Sequence, residues 1–229
     1  VSTIIDLSTE GEDIATVRGE DTITRATVID GFTIVGGSCD ADGIARAIHV
    51  DRASPTITNN IIDAGGGSVA LDVYRDSDPI VDSNTILGST SPDVPWKWAL
   101  AIADNSLPQV TNNTIDGGEH GSCIGVFIWQ SRCGEFHGNT VYGGDGTQSD
   151  AIFVTNNSNV TIEDNNIDGG TGSDTATGIR VTQDSYATIT ADTIYGGEAV
   201  YSRGIWIHDD SSATITSNSI NGGVCSNES

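Results

Sequence analysis

Four residues, Asp184, His208, Asp209 and Asp210, have the types and spacing for acid–base chemistry. His208, Asp209 and Asp210 are consecutive, and Asp184 occupies the equivalent turn one repeat earlier, close to Arg180. Carboxylates clustered in this way, one protonated and one ionised on either side of a glycosidic bond, are the apparatus of glycoside hydrolysis. A lyase would need a base beside a uronate carboxylate, and with Lys97 the sole lysine no such set stands out. Glu135 and His137 make a further, weaker acid–base pair. Near these groups lie Phe127, Trp129, Phe153, Arg180 and Trp206, rings beside a guanidinium of the kind that can hold a sugar. For the aspartates a plainer role competes: Asp51, Asp76, Asp104, Asn105, Asn156 and Asn157 fill the same turn elsewhere, and Asp and Asn are ordinary turn formers.

A repeat fixes where these residues point. Residues 160–170, VTIEDNNIDGG, alternate apolar and polar side chains, turn a corner at Asn165, add a very short strand and break at two glycines. The corner recurs at Asn60, Asn84, Asn113, Asn139, Asn165, Asp192 and Asn218, with spacings of 24, 29, 26, 26, 27 and 26 residues. An apolar residue stands three before each marker and another two after it. A further strand, such as residues 151–155, lies ten to fourteen residues before the marker. Each copy is rich in Gly, Asn, Asp, Thr and β-branched residues and lacks a 3.6-residue period, which excludes a helical repeat. Three strands and three corners in about 26 residues close one turn of a solenoid whose strands pair in parallel with their copies. Stacked amides in the Asn column would satisfy corner backbone groups, and Asp192 is expected to be the weakest rung. On the first strand, the positions ten and twelve before the marker should face out: Ile48 and Val50, Asp72 and Tyr74, Ala101 and Ala103, Phe127 and Trp129, Phe153 and Thr155, Arg180 and Thr182, Trp206 and His208. Outward aromatics imply a ligand groove, cover by neighbouring loops, or an oligomer interface.

The Asn corner, the Gly-rich turn after it and the Ile-x-Ile/Val first strand resemble the right-handed pectin-lyase-like β-helix superfamily. Residues 27–37 (TVIDGFTIVGG) and the runs TITNN and VTNNTI resemble the parallel β-helix repeats of bacterial secreted or surface proteins. The resemblance spans roughly residues 15–224. It implies an all-β, right-handed, single-stranded parallel β-helix of about eight coils with an asparagine ladder, and a substrate cleft on the first-strand face. It does not select an activity, because that superfamily holds lyases, glycosidases, esterases, adhesins and phage proteins.

The chain reads as one domain over 1–229, with an incomplete coil or N-terminal cap at 1–31 and the β-helix at 32–229. Phe32 takes the corner position of the first full coil. Nine Lys and Arg against 32 Asp and Glu give a net charge of −23, which disfavours nucleic acid and anionic membranes as partners. No apolar run is long enough for membrane insertion. The acidity fits a solvated rod, a salt-adapted surface or calcium binding. Residues 40–43 (DADG) and 143–150 (GGDGTQSD) are the stretches to examine for Ca2+, although Gln148 stands where a calcium-repeat aspartate would be. Register separates Cys39 from Cys225 and Cys123 from Cys133, so mostly free thiols are expected. The insertion at 88–98 carries Trp96 and Trp98 and should form a lid or a groove wall. The C-terminal edge lacks an apolar cap, so either further sequence follows it or an oligomer covers it. These features describe a secreted or cell-surface β-helix that binds, and in one reading processes as hydrolase or lyase, an extracellular polysaccharide or glycan. The other reading is a non-catalytic structural or adhesive segment of a larger surface protein.

Overall fold

The computed structural model describes residues 3–6, 15–18, 23–37 and 44–226. It contains no helix among them. Three parallel sheets run the length of a solenoid, each built by one strand from every coil. The first-strand sheet contains Arg46–Asp51, Val69–Tyr74, Trp96–Ala103, Ser122–Trp129, Asp145–Thr155, Thr171–Val181 and Tyr201–Ile207. The second-strand sheet includes Thr56–Thr58, Ile80–Asp82, Gln109–Thr111, Arg132–His137, Asn159–Glu163, Tyr186–Thr190 and Ser212–Thr216, and the third begins one residue after each Asn marker. Strands Ala15–Arg18 and Val28–Asp30 extend the first and second sheets by one rung each, and Phe32–Val35 and Thr3–Asp6 extend the third by two.

The core follows from the alternation. Ile57, Val81, Val110, Phe136, Ile162 and Ile189 stack inside the second sheet, and Ile62, Ile86, Ile115, Val141, Ile167 and Ile194 inside the third. Each inward side chain meets the same position above and below, so removing one rung's apolar contact affects two neighbours. In the final coil Ile215 and Ile220, at the same positions, are exposed.

The asparagine ladder forms as the spacing predicts. Asn60 Oδ1 accepts the backbone N–H of Phe32, and the pattern repeats from Asn84 to Asn60, Asn113 to Asn84, Asn139 to Asn113 and Asn165 to Asn139 at 2.8–3.0 Å. Each amide also donates to carbonyls of the turn, as Asn165 Nδ2 does to Glu163 O and Phe136 O. A β-helix corner buried without such donors and acceptors would strand backbone groups.

A second ladder was not read from the sequence. Ser77, Ser106, Ser131, Ser158, Ser185 and Ser211 line the corner between the first and second strands. The hydroxyls accept backbone N–H groups from the preceding coil: Ala53 to Ser77, Ser77 to Ser106, Ser131 to Ser158, Ser158 to Ser185 and Ser185 to Ser211, at 3.0–3.2 Å. The signal was present as a Ser two to four residues past six of the seven first strands, hidden by the variable turn residues before it.

That corner also corrects the outward assignment in the first full coil. Most corners carry two left-handed residues, such as Arg75 and Asp76, but the one after Asp51 carries only Arg52. Counting back from Asn60 therefore lands one residue out of phase. Ile48 and Val50 are buried in the core, paired with Leu71 and Val73, and His49 and Asp51 face outward instead.

The insertion at 88–98 is pinned from inside. Lys97, fully buried, donates from Nζ to the carbonyls of Glu119 and His120 in the next coil. Burial lowers its pKa, but its amine is shut from solvent and bound to two carbonyls, and burial pushes the adjacent Cys123 thiol up to about 11, so neither group acts at the surface. Trp98 packs flat on Phe127, whereas Trp96 is 58% exposed. Cys123 and Cys225 are free thiols; Cys39 and the acidic stretch at 40–43 lie outside the described residues.

Candidate functional site on the first-strand face

Register places the outward side chains of the first strands in columns along the axis. One column reads His49, Asp72, Ala101, Phe127, Phe153, Arg180 and Trp206. The next reads Asp51, Tyr74, Ala103, Trp129 and Thr155, with His208 two residues beyond Trp206.

From Phe127 to Trp206 the first column is a continuous stack. Trp98 lies parallel to Phe127, 5.0 Å between centroids, and Phe127 meets Phe153 edge-on at 5.6 Å. The Arg180 guanidinium caps Phe153 at 4.5 Å and Trp206 at 4.8 Å, Arg203 lies 4.2 Å from Trp206, and His208 stacks on the same indole at 4.1 Å. Cations over aromatic faces and offset ring pairs are favourable wherever water is partly excluded. Consequently Phe127 is stacked by Trp98, Phe153 by Arg180, and Trp206 by Arg180, Arg203 and His208.

Trp129 differs. Its rung neighbours are Ala103 and Thr155, both too small to cover an indole. Among the described residues no ring or guanidinium stacks on it. It is half-buried.

Polar groups join the C-terminal part of the stack. His208 Nδ1 lies 3.0 Å from Asp209 Oδ2, which also accepts the Thr182 hydroxyl at 2.9 Å. Arg180 Nε donates to His208 Nε2 at 3.3 Å, and its Nη1 lies 3.6 Å from Asp150 Oδ2. Asp150 is almost closed to solvent, and burial raises its pKa against the opposing pull of Arg180. The structure thus brings together Arg180, Trp206, His208 and Asp209 and adds Asp150, which the sequence offered only as the end of GGDGTQSD. Asp184 and Asp210 are exposed and adopt left-handed turn conformations at φ 58° and 56°. No hydrogen bond or ion pair joins their carboxylates to His208, Asp209 or Arg180 among the described residues.

The N-terminal end of the face is an ionic network. Asp51, fully buried, accepts Arg18 Nε at 2.8 Å and Arg75 Nη2 at 2.7 Å, with Arg52 at 3.6 Å. Asp72 binds Arg46 and, at 2.9 Å, His49 Nδ1. Buried carboxylates matched by several guanidinium donors are held in place rather than free to react.

The remaining candidates lie elsewhere. His137 sits 4.0 Å from Asp164 on the second-strand face, and Glu135 is exposed beside it. Residues 143–150 run into the extended strand Asp145–Thr155 rather than a loop, and Asp145 accepts the Tyr142 hydroxyl. No group of three or more His, Cys, Asp or Glu among the described residues is arranged to hold a metal ion.

Residues 124–226 match the family model for the right handed beta helix region. The earlier coils continue the same three sheets in register, so the protein is a right-handed parallel β-helix. Comparison with curated proteins and with solved structures gives no significant match.

Proposed function

We propose that this β-helix binds an extracellular carbohydrate on its first-strand face. The observation that carries the reading is Trp129, an outward, half-buried indole flanked by Ala103 and Thr155 on which no ring or guanidinium stacks among the described residues, whereas Phe127, Phe153 and Trp206 each carry one. A pyranose presents C–H groups that suit the electron-rich face of such a ring, and the hydroxyls at its rim suit the polar corner beyond it. The resemblance to pectin-lyase-like proteins, which use this face as a substrate cleft, points the same way. A net charge of −23 argues against nucleic acid and fits a secreted or cell-surface setting. No helix among the described residues is long and apolar enough to cross a membrane.

Binding is better supported than turnover. Two of the exposed carboxylates are turn residues without a side-chain partner among the described residues, and Asp150, whose pKa burial raises, is shut away behind Arg180. A second reading, a structural or adhesive segment, is favoured by the way Trp98, Phe127, Phe153, Arg180 and Trp206 close upon one another. Glycan-array binding decides between them: wild type retains specific glycans and Trp129→Ala loses them, whereas Trp129→Phe keeps part of the signal. A wild-type protein that binds no glycan refutes the proposal. Hydrolysis assayed with wild type and Asp209→Asn tests the catalytic extension separately.

A further inference from the structure

The corner after Trp129 is one residue shorter than its neighbours. Ala103 and Thr155 are followed by two left-handed residues each, Asp104 with Asn105 and Asn156 with Asn157, before the ladder serine; Trp129 is followed by Gln130 alone. Ser131 nevertheless stays in the serine ladder, donating from Oγ to Ser106 O and from its backbone N–H to Ser158 Oγ. The missing residue is restored further on, where the strand Arg132–His137 bulges between Cys133 and Phe136 against Val160 and Ile162. A bulge of this kind is a retained device that re-aims neighbouring groups, not a defect of winding. Here its effect is a notch in the rim of the rod, about 390 Å³, lined by Asn105, Gln130, Ser131, Arg132, Asn156 and Asn157. The size falls within the range of small-ligand sites.

The chemistry of the lining is unusual for so acidic a protein. Four of its six side chains are amides, and the single charge is Arg132. Asn105 Nδ2 is engaged by Asp76, but no hydrogen bond holds the side chains of Gln130, Asn156 or Asn157 among the described residues. Each amide offers a donor and an acceptor side by side, which matches the paired donor and acceptor character of adjacent hydroxyls. A carboxylate or sulfate could pair with Arg132 alone and would leave the amide oxygens without a donor, inside a strongly negative molecule, whereas a neutral hydroxyl pair serves all four amides.

We infer that the notch at Gln130, in the corner that follows Trp129, is a subsite for one neutral, hydroxyl-rich sugar residue of the glycan. This rests on the carbohydrate-binding reading above and specifies the ligand and the residues that read it. Neutral gluco-, galacto-, manno- and xylo-oligosaccharides are titrated in parallel with uronate-containing and sulfated oligosaccharides, using the whole chain. Gln130→Gly and Asn156→Gly tolerate the left-handed backbone, at φ 47° and 56°, while deleting the amides. Each should weaken binding of a neutral oligosaccharide by roughly threefold to tenfold, the share of one hydrogen bond. Inserting an asparagine after Gln130 rebuilds the two-residue corner, fills the notch and should abolish binding with the thermal midpoint as a folding control. Neutral binding that is lost with Trp129→Ala yet unchanged in both glycine variants overturns the subsite and leaves carbohydrate binding standing. Retention of anionic oligosaccharides alone overturns the neutral assignment. Failure of wild type to bind any member removes both proposals together.

Discussion

Replacing Asp192 with asparagine should stabilise the protein at neutral pH. In every other described ladder position from Asn60 to Asn165, the amide nitrogen donates to carbonyls, while at Asp192 only Oδ1 is used, accepting Asn165 N–H at 2.8 Å and Asn165 Nδ2 at 2.9 Å. Oδ2 is buried with no partner, and the residue is 1% exposed. By analogy with Asn165, whose Nδ2 reaches Glu163 O and Phe136 O, an amide at 192 would meet Thr190 O and Ile162 O. Leaving a buried polar atom unpaired costs about 1–3 kcal/mol, and that is the expected gain of Asp192→Asn near pH 7. Burial raises the Asp192 pKa above its ordinary 3.8. Between the unfolded and folded values the native state therefore holds the proton more tightly than the unfolded chain. The stability this supplies is complete below the unfolded pKa and is lost as pH rises through the folded one. The advantage of the asparagine variant must shrink toward about pH 4 and grow toward about pH 7. Urea unfolding at both pH values, together with hydrogen exchange of the amides at 165 and 192, measures this. A variant no more stable than wild type at neutral pH, or equally favoured at both, refutes the argument.

Removing the hydroxyl in Ser158→Ala strands the Ser131 N–H and the Thr155 carbonyl, 3.2 and 2.6 Å from it, and should cost about 1–2 kcal/mol in chemical denaturation. Phe136→Ala empties a fully buried position and should cost about 3–5 kcal/mol, read as a fall in the thermal midpoint. At Gly117 an added Cβ would lie 2.1 Å from the Gly143 carbonyl oxygen, so Gly117→Ala should prevent soluble expression or sharply lower the midpoint. Arg180→Ala leaves Asp150 without its nearest cation; the loss of about 2 kcal/mol near pH 7 should shrink in acid, where burial keeps that carboxyl protonated. A pH-independent loss would show that Arg180 acts through its packing on Phe153 and Trp206 instead.

Winding, strand order and the asparagine column were legible because each rests on a residue type repeated at a fixed offset. Apolar positions three before and two after the marker face inward wherever a further coil covers them. Outward direction was harder, because counting from the marker presumes corners of equal length. One short corner put Ile48 and Val50 on the wrong side. Another, at Gln130, left no trace in the count, because a bulge downstream cancelled it. Side-chain conformation was not legible at all: the pattern offers Phe127, Phe153 and Trp206 as platforms, whereas rings and guanidinium groups stack on each of them. Asp150 escaped attention because a lone aspartate amid Gly, Thr and Ser reads as surface, and only stacking reveals that Arg180 closes over it.

The coils differ in length chiefly at one place, between the third strand and the following first strand, where the run from Asn84 to Trp98 is longer than the run from Asn60 to Val69. The other two bends are locked by the asparagine and serine columns. Mutation is thus free to lengthen that single bend without rewinding its neighbours, and a foreign peptide spliced between Ser91 and Pro95 would be displayed on the outside while the rod beneath it kept its pitch.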